Sequence, residues 1–243
     1  MVDDGRINER ILKKEAAKDY LTKVESASKK IATRLCSPEI KRLFLRYFDS
    51  MQLNAHFISR IARNKLPHEV IEKVEEQLGH RLREVTDEIN TSIDSAELLL
   101  KSSGVAQLAS YDALPLDLDV KVISRFGRQY RELLEKADQL MPLLESLCIE
   151  DVITEQELDR QKALIRKKIK RVVFGARTYA NGLRRRMNGP PAEADEHRAA
   201  HQDAEVGTEQ GAWPLKISGQ AQITRNNPRA HAEASTDAIQ RVG

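Results

Sequence analysis

The stretch LDLDVKVIS, residues Leu116–Ser124, decides how the rest of the chain is read. Leu116, Leu118, Val120 and Val122 fall on one face of an extended chain, and Asp117, Asp119 and Lys121 on the other. Alternation of this kind marks a half-buried β-strand. Ser124 then stands where a helix N-cap belongs, since its hydroxyl can accept from N–H groups that a first turn leaves unpaired. The helix that follows carries Phe126, Tyr130, Leu133, Leu134, Ala137, Met141, Leu144 and Leu147 at helical spacing. Pro142 inside it predicts a kink, because proline removes one backbone bond and crowds the preceding turn. Thr154, with Glu157 three residues on, has the form of a capping box and opens a second helix over about 155–188.

That second helix is the most charged element of the chain. Between Arg160 and Asn188 there are eleven Lys or Arg and no acid. Leu158, Ile165, Ile169, Val172, Ala176, Tyr179 and Leu183 form a single apolar stripe. Arg166, Lys170, Arg177 and Arg184 form one basic row beside it, and Arg160, Lys167, Arg171 and Arg185 another. At 1.5 Å per residue the rod is on the order of 40 Å long. Like charges four residues apart, such as Arg166 with Lys170 and Lys167 with Arg171, repel by a few tenths of a kcal/mol per pair. A solvated helix normally interleaves Glu between them, so an unopposed rod calls for a polyanion. Nucleic acid leads, ahead of an acidic protein, an anionic membrane surface and a merely solvated face. Phosphate contacts of this type give affinity and salt dependence without sequence information.

The same residues resemble a known family. Arg-x-Tyr-x-x-Leu-Leu-x-x-x-Asp-x-Leu spans Arg128–Leu140, and Leu-x-Ile-x-x-Val-Ile spans Leu147–Ile153. The basic helix ends in Ala176-Arg177-Thr178 and Arg184-Arg185-Arg186. This order resembles the AcaB-like family carried by conjugative plasmids and integrative conjugative elements, over roughly Leu114 to Asn188. The resemblance implies a transcriptional regulator of transfer genes with a ribbon-helix-helix-like core, in which two chains pair strands into an antiparallel ribbon that reads the major groove. One feature departs from a reading ribbon: Asp117 and Asp119 on the outward face are poor company for phosphates. DNA contact is therefore expected from the basic helix and from Arg125 and Arg128 rather than from the strand. Lys121 is the one cation on that face, and the strand is expected to serve a homodimer through residues 116–124.

Length and composition agree with long helices. The chain has 243 residues, 32% charged and only 5% aromatic, which disfavours a sandwich or barrel. Its net charge of +3 conceals an asymmetry. Residues 1–188 hold 35 basic and 29 acidic side chains, and residues 189–243 hold 5 and 8. Residues 6–35 read as a first helix with Ile7, Ile11, Leu21, Val24, Ile31 and Leu35 on its stripe. Ser37-Pro38-Glu39 restarts a helix over about 38–63, with proline at its first position. Phe44, Tyr47 and Phe48 lie on its core face, and Arg42, Arg46, Arg60, Arg63 and Lys65 give it a modest basic face. Pro67 opens a helix over about 68–102 whose Ile71, Val74, Leu78, Leu82, Val85, Ile89, Ile93, Ala96 and Leu100 resemble a coiled-coil seam. After Gly189-Pro190-Pro191 the periodicity stops, and the acidic remainder reads as disordered. Ala212–Ile217, with the only Trp, Trp213, is either a docking motif or an accident of composition. The acidic tail folding back over the basic helix is a further expectation.

The chemistry of catalysis is missing from the pattern. There is no phosphate-cradling glycine loop, no GxSxG and no CxxC. His197 and His201 lie in the tail without a helix to aim them at a metal. Cys36 and Cys148 stand singly, as reduced thiols of a cytosolic protein do. No apolar run is long enough to span a membrane, and the first residues lack a signal-peptide core. The sequence thus predicts a cytoplasmic, mainly α protein without cofactor, enzyme activity or membrane partner. It divides into a helical domain over 1–110, a strand-helix-helix unit over 111–188 and a disordered tail over 189–243. Its expected function is binding double-stranded DNA through Lys121, Arg125, Arg128, Arg160, Arg166, Lys167, Lys170, Arg171, Arg177, Arg184 and Arg185. The rival reading is an assembly protein of a mobile element, with the basic helix meeting an acidic protein and the seam of residues 71–100 exposed.

Overall fold

The computed structural model describes residues 6–17, 24 and 27–189. The tail beyond Gly189, with Trp213 and the His197/His201 pair, lies outside the described residues, as does Leu21. The chain is mainly helical. Helix α1 spans Arg6–Ala16, strand β1 Lys29–Leu35, α2 Pro38–His56, α3 His68–Ser102, β2 Leu116–Val122, α4 Arg125–Ile149 and α5 Glu155–Asn188. A wide π-type turn, Phe57–Ile61, and a short 3-10 turn, Ala62–Asn64, carry α2 onward towards α3. Among the described residues no helix is long and apolar enough to cross a membrane.

Local chemistry sets most of these boundaries. Ser37 caps α2 by accepting from the Ile40 N–H, with Pro38 in the first turn where its missing N–H costs nothing. Ser124 caps α4 by accepting from the Gly127 N–H at 3.0 Å. Thr154 caps α5 by accepting from the Glu157 N–H at 3.2 Å. Only half of that capping box is made, because the Glu157 carboxylate turns forward to Gln161 and Arg160. α4 continues through Pro142 to Ile149.

The expected single helix over residues 6–35 is corrected: α1 ends at Ala16, and Lys29–Leu35 is a strand. Ile31 and Leu35 satisfy a helical spacing of four, but Ile31, Thr33 and Leu35 also alternate with Lys30, Ala32 and Arg34. Alternation prevails because β2 offers a matching apolar face. The two strands pair antiparallel in a two-stranded sheet, with Ile31 opposite Val120, Thr33 opposite Leu118 and Leu35 opposite Leu116. The strand expected to pair two subunits therefore finds its partner in its own chain. On the outer face Arg34 stands opposite Asp117, 3.7 Å apart, and Lys30 opposite Lys121.

The other edge of β2 meets α2. The Gln52 side-chain amide donates to the Lys121 carbonyl at 2.8 Å and accepts from the Ile123 N–H at 2.9 Å. Residues two apart on a strand point these groups the same way, so Gln52 occupies positions that an added strand would take. Gly127 allows this approach, since a Cβ there would stand 3.0 Å from the Gln52 side chain.

α4 runs through the middle of the molecule. Tyr130, Leu133, Ala137, Leu140, Met141 and Leu147 are fully buried, and Phe48 stacks on Tyr130 with centroids 6.4 Å apart. The α3 seam packs chiefly on α4, burying Ile71, Leu78, Leu82, Val85, Ile89, Ala96 and Leu100. The boundary read at residue 110 falls in the loop between α3 and β2, and buried residues from both sides form one cluster.

Asp138 of α4 fastens the β1–α2 junction. Its buried carboxylate accepts from the Cys36 N–H at 2.7 Å, the Ser37 N–H at 2.8 Å and the Ser37 hydroxyl at 2.6 Å. Removing it strands three donors in a dry site, each costing roughly 1–3 kcal/mol when unpaired. Asp138→Ala is expected to lower unfolding stability by about 3 kcal/mol in urea titration, allowing for partial rehydration. Asp138→Asn, which keeps one acceptor, should lose less. A loss within experimental error for Asp138→Ala would contradict this role.

Candidate nucleic-acid interface

α5 buries its apolar stripe as expected: Leu158, Ile165, Ile169, Val172, Ala176 and Leu183 are buried and Tyr179 is half-buried. The cations are less uniform than their sequence suggests. Acids absent from α5 reach it from other helices. Glu145 of α4 pairs with Lys162 at 2.5 Å, Glu39 of α2 with Arg166 at 3.6 Å, and Glu88 of α3 with Lys168 at 2.7 Å. Arg160 turns to Glu157 on its own helix at 3.4 Å. Arg184 lies 4.2 Å from the Phe57 ring centroid and donates to Asn181.

What is left is a narrower set. Lys167, Lys170, Arg171, Arg177 and Arg185 have no ion-pair partner among the described residues and lie on the side of α5 turned from the core. In their midst stands Phe174, half exposed and about 180° round the helix from the centre of the apolar stripe. An aromatic ring at the centre of a basic face is not what a purely solvated surface requires.

α2 widens the face. Glu39 meets Arg166, Tyr47 meets Phe174 edge to face at 6.0 Å, and Phe57 meets Arg184. Contacts in that order mean that the α2 segment and α5 run side by side in the same direction. Arg42 and Arg46 follow Glu39 by three and seven residues, so they share its side of α2 and both are exposed. Lys170 and Arg177 follow Arg166 at the same helical phase. Arg46, Tyr47, Ser50, Val173, Phe174 and Arg177 together line a shallow cleft of about 270 Å³. Arg46 lies 5.6 Å from the Tyr47 ring centroid, the separation of a cation–π contact. The arrangement offers two guanidinium groups beside two aromatic rings, in a shallow cleft of a basic surface.

The remaining expected residues lie elsewhere. Arg125 pairs at 3.0 Å with the buried Glu75 of α3, which also takes Arg63 at 3.0 Å. Arg128 pairs with Glu132 at 2.9 Å. Both line a different, larger cleft at the N-terminus of α4. Lys121 is on the outer face of the ribbon. The expected set is thus divided among three places, with its unpaired core on α5. Phe174 is absent from that set although its position is visible in the sequence: it is an aromatic on the polar side of an amphipathic helix.

The fold has a counterpart among solved structures. The crystal structure of selenomethionine-containing AcaB from uropathogenic E. coli superposes with a TM-score of 0.62. The match covers 75% of this chain and 100% of that one, at 14% sequence identity. The chain therefore has a distantly AcaB-like fold. No family model and no curated protein matches the sequence.

The geometry separates residues that hold the fold from residues that face outward. The triple variant Lys167→Glu, Lys170→Glu, Arg171→Glu is expected to melt within a few degrees of the unaltered protein, since none of the three has an ion-pair partner among the described residues to lose. Ile169→Ala, between them in sequence but fully buried, should cost about 3 kcal/mol. Equal destabilisation by the two variants in thermal melts would show the outward face to be structural.

Proposed function

We propose that this protein binds double-stranded DNA as a transcriptional regulator of conjugative-transfer or mobile-element genes, and is a remote member of the AcaB-like family. The observation that carries the proposal is the face of α5 on which Lys167, Lys170, Arg171, Arg177 and Arg185 remain unpaired around Phe174. From Lys167 to Arg185 this face is roughly 27 Å long. Arg42 and Arg46 extend it sideways. Such a surface grips phosphates along a duplex backbone, with affinity that falls steeply as salt rises.

The AcaB-like fold and the motifs of Arg128–Leu140 and Leu147–Ile153 support the kind of regulator proposed. Homodimerisation belongs to the same proposal. β2 is closed by β1 on one side and met by Gln52 on the other, so among the described residues the edge with no strand beside it is the outer edge of β1, where a second copy would pair. The α3 seam that the assembly reading needs exposed is buried against α4, and the inter-chain pairing of β2 that the regulator reading needs is taken up by β1 of the same chain.

Fluorescence anisotropy of the full chain on duplex DNA tests the proposal. Five phosphate contacts per chain give a slope of about −4.5 for log K against log salt. The triple reversal at Lys167, Lys170 and Arg171 should flatten that slope by about 2.7 and weaken binding at every salt concentration. Weak binding that ignores the reversal would overturn the DNA reading. Sedimentation velocity checks the dimer separately, and a monomer at all concentrations would remove it.

A further inference from the structure

A second cleft, of about 1240 Å³, opens where the ends of the two strands meet the π-type turn and the first turn of α4. Its walls are strongly cationic. Among the described residues Lys29, Arg60, Arg63, Arg125 and Arg128 line it, with Glu75 as the one acid. Glu75 is already shared by Arg63 and Arg125, both at 3.0 Å, which anchors those two guanidinium groups to α3. Lys29 and Arg60 are exposed and have no ion-pair partner among the described residues.

The polar groups in the wall are unfinished. His56 is only 7% exposed, lines the cleft, and its Nδ1 has no hydrogen-bond partner. The Ser59 hydroxyl, one turn on, is also buried without a partner. Buried polar atoms are normally paired, and exceptions call for a reason. Both residues adjoin or belong to the π-type turn Phe57–Ile61, a widened helical turn that is frequent at functional sites. Burial and the neighbouring Arg60 hold the His56 pKa below its ordinary value, so the ring is neutral at neutral pH. Opposite them, the α4 N-terminus at Ser124 and Arg125 adds the positive end of a 25-residue helix.

We propose that this cleft is a binding site for a small phosphorylated ligand, held by Lys29, Arg60 and Arg128 against the wall formed by His56 and the α4 N-terminus. Its form argues for a small molecule over a duplex. It is a recess with buried, unpaired polar atoms in its wall, whereas the α5 cations are spread along a line roughly 27 Å long. Concave sites with a few convergent polar groups suit small ligands. The site does not depend on the DNA reading, since its residues lie off the α5 face.

Isothermal titration calorimetry of the full chain with inorganic pyrophosphate and with adenosine monophosphate, at matched ionic strength, tests the assignment. Adenosine serves as the uncharged control. Saturable binding of one phosphorylated probe per chain is expected, with none for adenosine. Lys29→Ala with Arg60→Ala, two exposed residues whose loss leaves the fold intact by circular dichroism, should weaken it at least about tenfold. The triple reversal on α5 should leave it unchanged. Absence of saturable binding for both phosphorylated probes into the millimolar range overturns the proposal. So does binding that survives the Lys29/Arg60 variant, or that disappears with the α5 reversal. If the Lys29/Arg60 variant instead loses duplex DNA while neither small probe binds, the phosphates belong to DNA and the small-ligand site is refuted.

Discussion

The hydrogen bonds that the Asp138 carboxylate accepts hold together parts of the chain that sequence keeps a hundred residues apart. A buried carboxylate is tolerable only when its lone pairs are filled, and the backbone at Cys36 and Ser37 fills them. That fixes where β1 ends and where α2 begins. With β1 fixed, its register against β2 follows, and Gln52 of α2 can then reach Lys121 and Ile123 beyond the far edge of the ribbon. Lys41 of α2 and Asn8 of α1 both donate to the Leu114 carbonyl, holding the approach to β2 in the same frame. The direction of α2, and with it the face it shares with α5, depends on this set of polar ties.

The candidate interface is a by-product of that alignment. Because α2 lies alongside α5 in the same direction, Arg42 and Arg46 join the α5 cations, and Tyr47 meets Phe174. Because α3 and α4 pack on other sides, Glu88 and Glu145 neutralise Lys168 and Lys162. The apparently unopposed rod is sorted by packing into a paired margin and an unpaired outer row. A salt bridge at the margin adds little energy at partial exposure. Its larger effect is to narrow where the positive potential emerges.

The sequence made the helical skeleton legible because helix ends are written locally. Ser37-Pro38, Pro67, Ser124 and Thr154 each stand at a helix start, and the stripes of α3, α4 and α5 face the core as their periodicity requires. β1 was less legible. Ile31 and Leu35 fit periods of both two and four, and only β2, some ninety residues away, selects the strand. The partners of Lys162, Arg166 and Lys168 are hidden for the same reason, since their acids approach from other helices. Arg125 and Arg128 read as neighbours of the basic helix, yet the α4 N-terminus carries them into the second cleft. The orphaned Nδ1 of His56 leaves no mark in the sequence at all.

On the proposed function, the surface presented to a polyanion is the unpaired outer row of α5. Lysine acetylation of the full chain, read by mass spectrometry with and without duplex DNA, addresses it residue by residue. Strong protection of Lys167 and Lys170 by DNA is expected, while Lys73 and Lys101 on α3 stay as reactive as before. Protection confined to Lys30 and Lys121 would move the contact to the ribbon, and no protection at Lys167 or Lys170 would contradict the claim outright.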